Sequence, residues 1–171
     1  VEDQNFLRES SDEVDVFVQN YRPGVIERLG LGEKVIRARN PEIIYCSISA
    51  YGGDGPIGHR PAYDHVVQAM SGIMSTTGTE EMGPTKVGAP YIDYATGLNS
   101  AFAILAALLE KNRTGKGQLV DISMLDTALN LMANNLVTVA TTAASDVYKR
   151  QHGEQYSNCC DNGSRHAKTW Q

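Results

Sequence analysis

Cysteine is scarce in this sequence, which has three cysteines among 171 residues. Cys159 and Cys160 are adjacent near the carboxyl end, and only Cys46 lies within the first 142 residues. Cys46 falls inside the apolar run 43–48, where a thiol buried in a strand is the expected role. The sequence therefore carries neither a disulfide framework nor the spacing of a metal-binding cluster, and we expect no metal.

The sequence also lacks an excess of positive charge and a long uninterrupted apolar run. Fifteen Lys and Arg stand against 20 Asp and Glu, which gives a formal net charge of −5 at pH 7. Nucleic acids are bound largely through basic groups, so this balance disfavours a nucleic-acid partner. No run reaches the roughly 20 apolar residues of a bilayer span, and no secretory signal opens the sequence. We therefore expect no membrane partner and a cytoplasmic location.

The two ends of the sequence indicate a fragment of a larger protein. The first residue is Val1 rather than an initiator methionine, and the content of apolar residues, 42%, suits one soluble domain. Residues 143–151 read AASDVYKRQ, whose last six letters match the translation of a transposase sequencing adapter. We expect residues 143–171 to be an adapter-derived or chimeric tail and not a native domain. The alternative is a genuine polar extension.

One carboxylate stands at the start of an apolar helix. The segment 86–97 reads KVGAPYIDYATG and contains Asp93. Apolar residues then recur at helical spacing, which predicts a core-facing helix over residues 94–111 with Asp93 at or near its N-cap. An aspartate there would normally cap backbone amides, so the local pattern leaves capping and chemistry both open. The apolar residues of this helix are Leu98, Ala101, Phe102, Leu105, Leu108 and Leu109.

The order of the other elements predicts an α/β fold. Short β-branched runs at 14–18 and 43–48, and an alternating run at 119–124, are typical of strands in a mostly parallel sheet. A helix that begins near Pro23 and stops near Gly30 and Gly32 would connect the first two. Further helices are predicted over residues 63–71 and 125–139. The glycine-rich loop 51–56 follows a strand at its carboxyl end, where open α/β sheets bind ligands.

Five short motifs follow one another in an order that carries more information than any one of them. They are NYRPGVIERLG at 20–30, ISAYGGDGP at 48–56, AYDHVVQAMSG at 62–72, the Asp93 motif, and RTGKGQLVDISM at 113–124. This series resembles the family III coenzyme A transferases, which include formyl-CoA:oxalate and carnitine CoA-transferases, over about residues 14–136. The resemblance implies a Rossmann-like, mostly parallel sheet with flanking helices. Residues 1–142 would then form part of the large domain of a transferase that assembles as an interlocked homodimer.

The resemblance implies a covalent reaction at Asp93. Coenzyme A would pass from an acyl-CoA donor to a carboxylic acid acceptor through an aspartyl anhydride and an aspartyl-CoA thioester. The helix N-terminus would keep the carboxylate ionised, and no metal would be needed because CoA supplies the activated sulfur. Relatives carry further segments on both sides of this region, so we expect the fragment alone to be inactive.

The resemblance also implies a CoA site, although most of its residues have a structural alternative. Asn20 could simply end a strand, Arg28 could lie on a solvated helix face, and Met124 could belong to the core. Relatives place a basic residue just before the position of Ala62, and here Arg60 stands close by as a candidate phosphate contact. The predicted CoA-binding residues are Asn20, Tyr21, Arg28, Arg60, Tyr63 and Met124.

Two other functions fit the same pattern. The α-methylacyl-CoA racemases share the implied fold and pair the aspartate with a histidine, whose place is taken here by Tyr63. Tyrosine, with a pKa of about 10, is a poor partner for proton exchange beside a thioester, and His59 and His65 are out of register. The transferase is therefore favoured over the racemase. A catalytically inactive CoA-binding fragment is the third possibility.

Overall fold

The structure is a computed structural model that describes residues 2–79 and 81–142. The predicted tail at 143–171 lies outside the described residues. In chain order the described elements are α1 Glu2–Ser10, β1 Val16–Gln19, α2 Val25–Arg28, α3 Glu33–Arg39, β2 Ile44–Ser49, α4 Asp64–Ser71, a 3₁₀ turn Ile73–Thr76, α5 Tyr91–Thr114, β3 Leu119–Ser123, α6 Met124–Leu131 and α7 Ala133–Thr142.

The three described strands form one parallel sheet in the order β1-β2-β3. Val16 lies opposite Ile44, and Tyr45 lies opposite Leu119. Each strand starts and ends within two residues of the predicted run, because β-branched composition and flanking turn residues are strong local signals. The predicted α/β class with a parallel sheet and flanking helices is confirmed.

The sheet is covered by helices on both faces. Tyr45 of β2 belongs to the core cluster that includes Ile26 and Ile36 of α2 and α3. Its neighbour Cys46 belongs to the cluster formed with Ala107 of α5. Alternate residues of a strand face opposite sides, so both faces of β2 are buried, as expected for a central parallel strand. The predicted burial of Cys46 is confirmed, and burial raises the pKa of its thiol.

Two helical segments differ from the sequence-based prediction. The chain between β1 and β2 contains two helices instead of one, because Gly32 is the N-cap of α3 and does not end the helical region. The predicted helix 125–139 is likewise divided into α6 and α7 at Met132. The polar segment before β1 forms α1, whose Arg8 donates from Nε to the Gly30 carbonyl at 2.9 Å. Polar composition alone gave no signal for that helix.

Helix α5 is oriented differently from the prediction. Leu98 and Phe102 are each 74% exposed, and Leu105 and Leu109 are also exposed, so the expectation that this apolar face packs into the described core is wrong. The buried side carries smaller groups, with Ala107 packed against β2 and β3. Small side chains let the helix axis approach the sheet closely. Ile104 and Leu108 also pack against this cluster and are partly buried, and the four exposed residues named above are left on the opposite side.

Helix α5 has 24 residues and is long and apolar enough to cross a bilayer by length and composition. This corrects the expectation that no segment reaches that size. The same helix packs against β2, β3 and α6, and core helices of soluble proteins pass the same test. The absence of a membrane partner stays a prediction.

Candidate active site

A cavity of about 480 Å³ lies at the carboxyl ends of the three strands. Asn20 directly follows β1, Ser49 ends β2 and Met124 directly follows β3, and all three line it. The segment before α4 and the first turns of α5 supply the remaining walls. This is the position at which open parallel α/β sheets bind ligands, because backbone ends and loops from neighbouring strands converge there.

The cavity brings together most of the predicted site residues. Asp93 lines it, as do five of the six predicted CoA-binding residues, and these six residues together come from four separate stretches of sequence. Arg28 is not part of the lining and lies exposed at the end of α2. The five predicted residues in the lining are Asn20, Tyr21, Arg60, Tyr63 and Met124.

Sequence reasoning missed several lining residues. Arg22 is the most important, because it adds a second guanidinium to the cavity beside Arg60. Its Nη2 donates to the Tyr63 hydroxyl at 3.4 Å. The residues just after a parallel strand are the natural ligand contacts, so its place three residues beyond the end of β1 was the available signal. Thr96 and Gly97 of α5 also line the cavity.

Asp93 lies near the N-cap of α5, as predicted, but is not itself the capping residue. The helix begins at Tyr91 with Pro90 as its N-cap, so Asp93 lies in the first turn and not at the cap. The capping acceptor comes from another helix. Asp64 Oδ2 accepts from the Ile92 amide at 2.7 Å and from the Asp93 amide at 3.1 Å. The capping role that the local sequence pattern left open for Asp93 therefore belongs to Asp64, and Asp93 lines the cavity.

The environment of Asp93 raises the pKa of its carboxyl group above the ordinary value. Partial burial is the larger cause, and the negative charge of Asp64 adds to it. The shift runs opposite to the one expected from the helix N-terminus alone, because desolvation and a like charge both disfavour the ionised form. In its ionised form, a carboxylate of higher basicity is a better nucleophile than an unperturbed one.

Three side chains bear on the racemase alternative. Tyr63 lines the cavity, whereas His59 and His65 are not part of the lining formed by the described residues. His65 instead stacks on Tyr63, with ring centroids 6.0 Å apart and an interplanar angle of 8°. Within residues 2–79 and 81–142, no group of three or more His, Cys, Asp or Glu side chains is arranged to hold a metal ion.

Comparison with known proteins identifies the family of the chain. Residues 1–166 match the family model described as CoA-transferase family III. The chain belongs to CoA-transferase family III. The resemblance seen in the five ordered motifs is thereby confirmed.

Individual members of CoA-transferase family III match over most of this chain. The "probable fatty acyl-CoA transferase Rv3272" of Mycobacterium tuberculosis is 43% identical over 143 residues, covering 84% of this chain and 36% of the relative. The acetyl-CoA:oxalate CoA-transferase of Acetobacter aceti is 37% identical, covering 94% of this chain and 45% of the relative. A crystal structure of a CaiB/BaiF family protein from Brucella suis superposes with a TM-score of 0.83 at 36% identity, covering 86% of this chain and 39% of that one. The chain therefore spans less than half the length of these proteins.

Proposed function

We propose that the full-length protein is a CoA transferase in which Asp93 carries the acyl group and then CoA. The observation that supports this most directly is the position of Asp93 in a cavity at the carboxyl ends of three parallel strands. Membership of CoA-transferase family III supports the class of reaction. The substrates are an acyl-CoA donor and a carboxylic acid acceptor.

The proposed reaction begins with attack of an Asp93 carboxylate oxygen on the thioester carbonyl. The C–S bond breaks, CoA leaves as the thiolate, and an acyl-aspartyl anhydride remains. The thiolate then attacks the aspartyl carbonyl, which releases the donor acid as its carboxylate and leaves an aspartyl-CoA thioester. The acceptor carboxylate repeats both steps in reverse, and it ends as acyl-CoA with Asp93 regenerated. No net proton is consumed, so the sequence needs no general acid.

The charges of the cavity suit anionic reactants. Arg22 and Arg60 line it together with Asp93, the one carboxylate that the described residues contribute to the lining. Guanidinium groups form strong, charge-assisted hydrogen bonds with carboxylates and phosphates, so they favour both an acid substrate and the phosphates of CoA. Asp93 in the first turn of α5 also lies where the helix dipole stabilises negative charge that develops on an attacked carbonyl.

The decisive experiment traps the covalent intermediate in the full-length protein. We would incubate it with succinyl-CoA, add hydroxylamine, and map the modified peptide by mass spectrometry. Conversion of Asp93 to a hydroxamate is the expected result, because hydroxylamine attacks the activated aspartyl carbonyl. Asp126 is a matched internal control, since it is an exposed aspartate in the first turn of α6 and should stay unmodified.

Two other outcomes would select the alternatives. An unmodified Asp93, with solvent deuterium entering the carbon beside the thioester, would support a racemase. Binding of acyl-CoA with neither adduct nor exchange would support an inactive CoA-binding protein. Tyr63 at the place of the racemase histidine argues against the first, and the reactive position of Asp93 argues against the second.

We also propose that the full-length protein is a homodimer in the cytoplasm. The apolar face of α5 supports assembly, since Leu98, Phe102 and Leu109 are each more than 70% exposed in the described chain. Contiguous exposed apolar surface of this kind is typical of an interface. Native mass spectrometry of the full-length protein tests the dimer, and a monomer at micromolar concentration would contradict it.

A further inference from the structure

Asp64 is a buried carboxylate that the proposed chemistry does not use. Its residue is 8% exposed, and it lies at the start of α4 with its side chain directed at the start of α5. Asp64 Oδ2 accepts from the amides of Ile92 and Asp93, so one oxygen binds two backbone groups nearly 30 residues further along the chain. The residue before α5 is Pro90, whose side chain has no acceptor, and α5 therefore depends on α4 for its cap.

Gln68 completes this arrangement from the next turn of α4. It is 0% exposed, its Nε2 donates to Asp64 Oδ1, and its Oε1 accepts from the Val87 amide at 2.9 Å. A backbone N–H only donates, so the Val87 contact fixes which end of the Gln68 amide faces Asp64. Asp64 and Gln68 thus join α4, the segment before α5, and the first turn of α5. We call this pair the α4 bracket.

The α4 bracket is placed where an apolar pair would otherwise be expected. Val67, the neighbour of Gln68 in α4, and Ile92, whose amide Asp64 binds, both belong to the apolar cluster that also includes Ile73. Burying a charge and an amide there costs free energy that hydrogen bonds only partly offset, and apolar residues of the same volume often give a more stable protein. What polar groups provide instead is one defined geometry, since hydrogen bonds are directional.

We propose that Asp64 and Gln68 are positioning residues that fix the first turn of α5, so that Asp93 meets the thioester carbonyl in a reactive orientation. This inference rests on the proposed role of Asp93. Because Asp64 holds the backbone N–H of Asp93 itself, a small displacement of the bracket moves the nucleophile directly. A misplacement of about 1 Å between reacting groups lowers a rate by about 100-fold.

The charge of Asp64 gives the α4 bracket a second, separable effect. Asp64 contributes to the raised pKa of Asp93, after burial. Removal of that charge should lower the pKa of Asp93 and move the acid limb of the rate profile to lower pH. The other charged and titratable groups that line the cavity with Asp93 are Tyr21, Arg22, Arg60 and Tyr63, and they stay unchanged in the variants below.

Two variants of the full-length protein separate position from charge. In Asp64→Asn, the new Nδ2 donor faces the Nε2 donor of Gln68, and no hydrogen bond can form between them. If the Gln68 amide rotates to present its oxygen to the new asparagine, its Nε2 faces the Val87 N–H, which is also a donor. In the double variant Asp64→Asn/Gln68→Glu, the new carboxylate accepts from the asparagine and from Val87. The double variant restores every hydrogen bond. It moves the negative charge from residue 64, whose side chain binds the Asp93 amide, to residue 68, whose side chain binds the Val87 amide.

The control variant is Asn40→Ala at the opposite edge of the sheet. Asn40 Nδ2 donates to the carbonyls of Ser11 and Val14, and its Oδ1 accepts from the Glu42 amide, so it also makes three hydrogen bonds. Its loss should lower thermal stability without reaching the cavity. It therefore measures what a merely structural defect does to the rate.

The readout is the single-turnover rate of Asp93 acylation as a function of pH. Asp64→Asn is expected to lower it by about 100-fold with little change in affinity for acyl-CoA. The double variant should recover most of that loss, with its acid limb at lower pH than in the parent. Asn40→Ala should match the parent in rate and pH profile. A parental rate and pH profile for Asp64→Asn would overturn the inference.

Hydrogen exchange distinguishes failure of this inference from failure of the proposed function. The Ile92 and Asp93 amides should exchange faster in folded Asp64→Asn than in the parent, and slowly again in the double variant. Unchanged exchange would refute the α4 bracket whatever the chemistry. If the exchange rates change as expected but the parent protein forms no adduct on Asp93, then Asp93 is not the nucleophile. In that case the α4 bracket fixes the start of α5 but has no role in catalysis.

Discussion

Charged side chains have different roles at the two ends of the strands. We call the side of the sheet where the strands begin the amino edge, and the side where they end the carboxyl edge. At the amino edge, Arg39 pairs with Asp12 at 2.5 Å, and Lys111 of α5 pairs with Asp15 at 2.8 Å. At the carboxyl edge, Arg22, Arg60 and Asp93 line a cavity, and none of the ion pairs formed among the described residues includes them. Charges at one edge bind each other, and those at the other edge are available to a ligand.

The pKa values of Asp12 at the amino edge and Asp93 at the carboxyl edge are shifted in opposite directions. A side-chain hydrogen bond from Arg39 is the largest cause of the lowered pKa of Asp12. Burial, with the charge of Asp64, raises the pKa of Asp93. A carboxylate that is stabilised by a partner is inert, whereas one that is held without a cationic partner is reactive. The same residue type therefore acts structurally at one edge and is a candidate nucleophile at the other.

The largest expected effect is the loss of activity when Asp93 is replaced. In the full-length protein, Asp93→Asn should remove the covalent adduct and lower turnover by at least about 10⁴-fold, as expected for a residue that forms the bond to substrate. Asp12→Asn should retain the parental turnover. Steady-state CoA transfer between succinyl-CoA and an acceptor acid measures both. Comparable losses in the two variants would remove the contrast between the edges.

The next effect concerns the two guanidinium groups of the cavity. Arg22→Gln and Arg60→Gln should each weaken binding of CoA or of the acid substrate by about 10- to 100-fold, the range expected for a charge-assisted hydrogen bond. Isothermal titration with CoA and with the free acid assigns each arginine to one ligand. Arg39→Gln at the amino edge is the control and should bind as the parent does. Unchanged affinity for both ligands in both variants would mean that neither Arg22 nor Arg60 binds CoA or the acid substrate.

Much of this architecture was predictable from sequence, and the parts that were not share a physical cause. Strand composition and the ordered motifs predicted the sheet and placed Asp93 near the start of α5. They did not predict which side of α5 packs on the sheet, because an amphipathic period locates an apolar stripe without saying what covers it. The exposure of Phe102 and the burial of Ala107 follow from the close approach of helix and sheet.

The capping of α5 was hidden for a related reason. Local rules look for an N-cap in the residue that precedes a helix, and that residue is Pro90. The acceptor is Asp64, 28 residues upstream of Ile92, and only the packing of α4 against α5 brings it there. Arg22 is a different case, because its position just beyond β1 could have been noticed from the sequence alone.

A smaller effect is expected at the ion pair between α5 and the start of β1. Lys111→Met removes the contact of its Nζ with Asp15, whose side chain is largely exposed. The Lys111 side chain is only 14% exposed, and methionine retains the packing of its apolar stem. Because the Asp15 carboxylate is exposed to solvent, the ion pair itself should contribute at most about 1 kcal/mol to the free energy of unfolding. Urea denaturation measures it, and acylation of Asp93 at the other end of the same helix should stay parental. A large loss of acylation rate would show that the two edges are coupled through α5.

The smallest effect is the pH dependence of stability, and its sign differs between the two aspartates. Asp12 has a lowered pKa in the folded state, so its charge stabilises the fold above its unfolded pKa, and this contribution is lost as the pH falls. Asp93 has a raised pKa, so its ionisation opposes folding above its unfolded value near 3.8. At neutral pH, Asp12→Asn should therefore lower the free energy of unfolding and Asp93→Asn should raise it. As the pH falls, the Asp93 difference should shrink toward pH 3.8, whereas the Asp12 difference should persist down to about pH 3.8 and be lost only below it. Urea denaturation of both variants between about pH 4 and 7 tests the signs, and changes of the same sign would contradict the assignment of Asp12 to structure and Asp93 to chemistry.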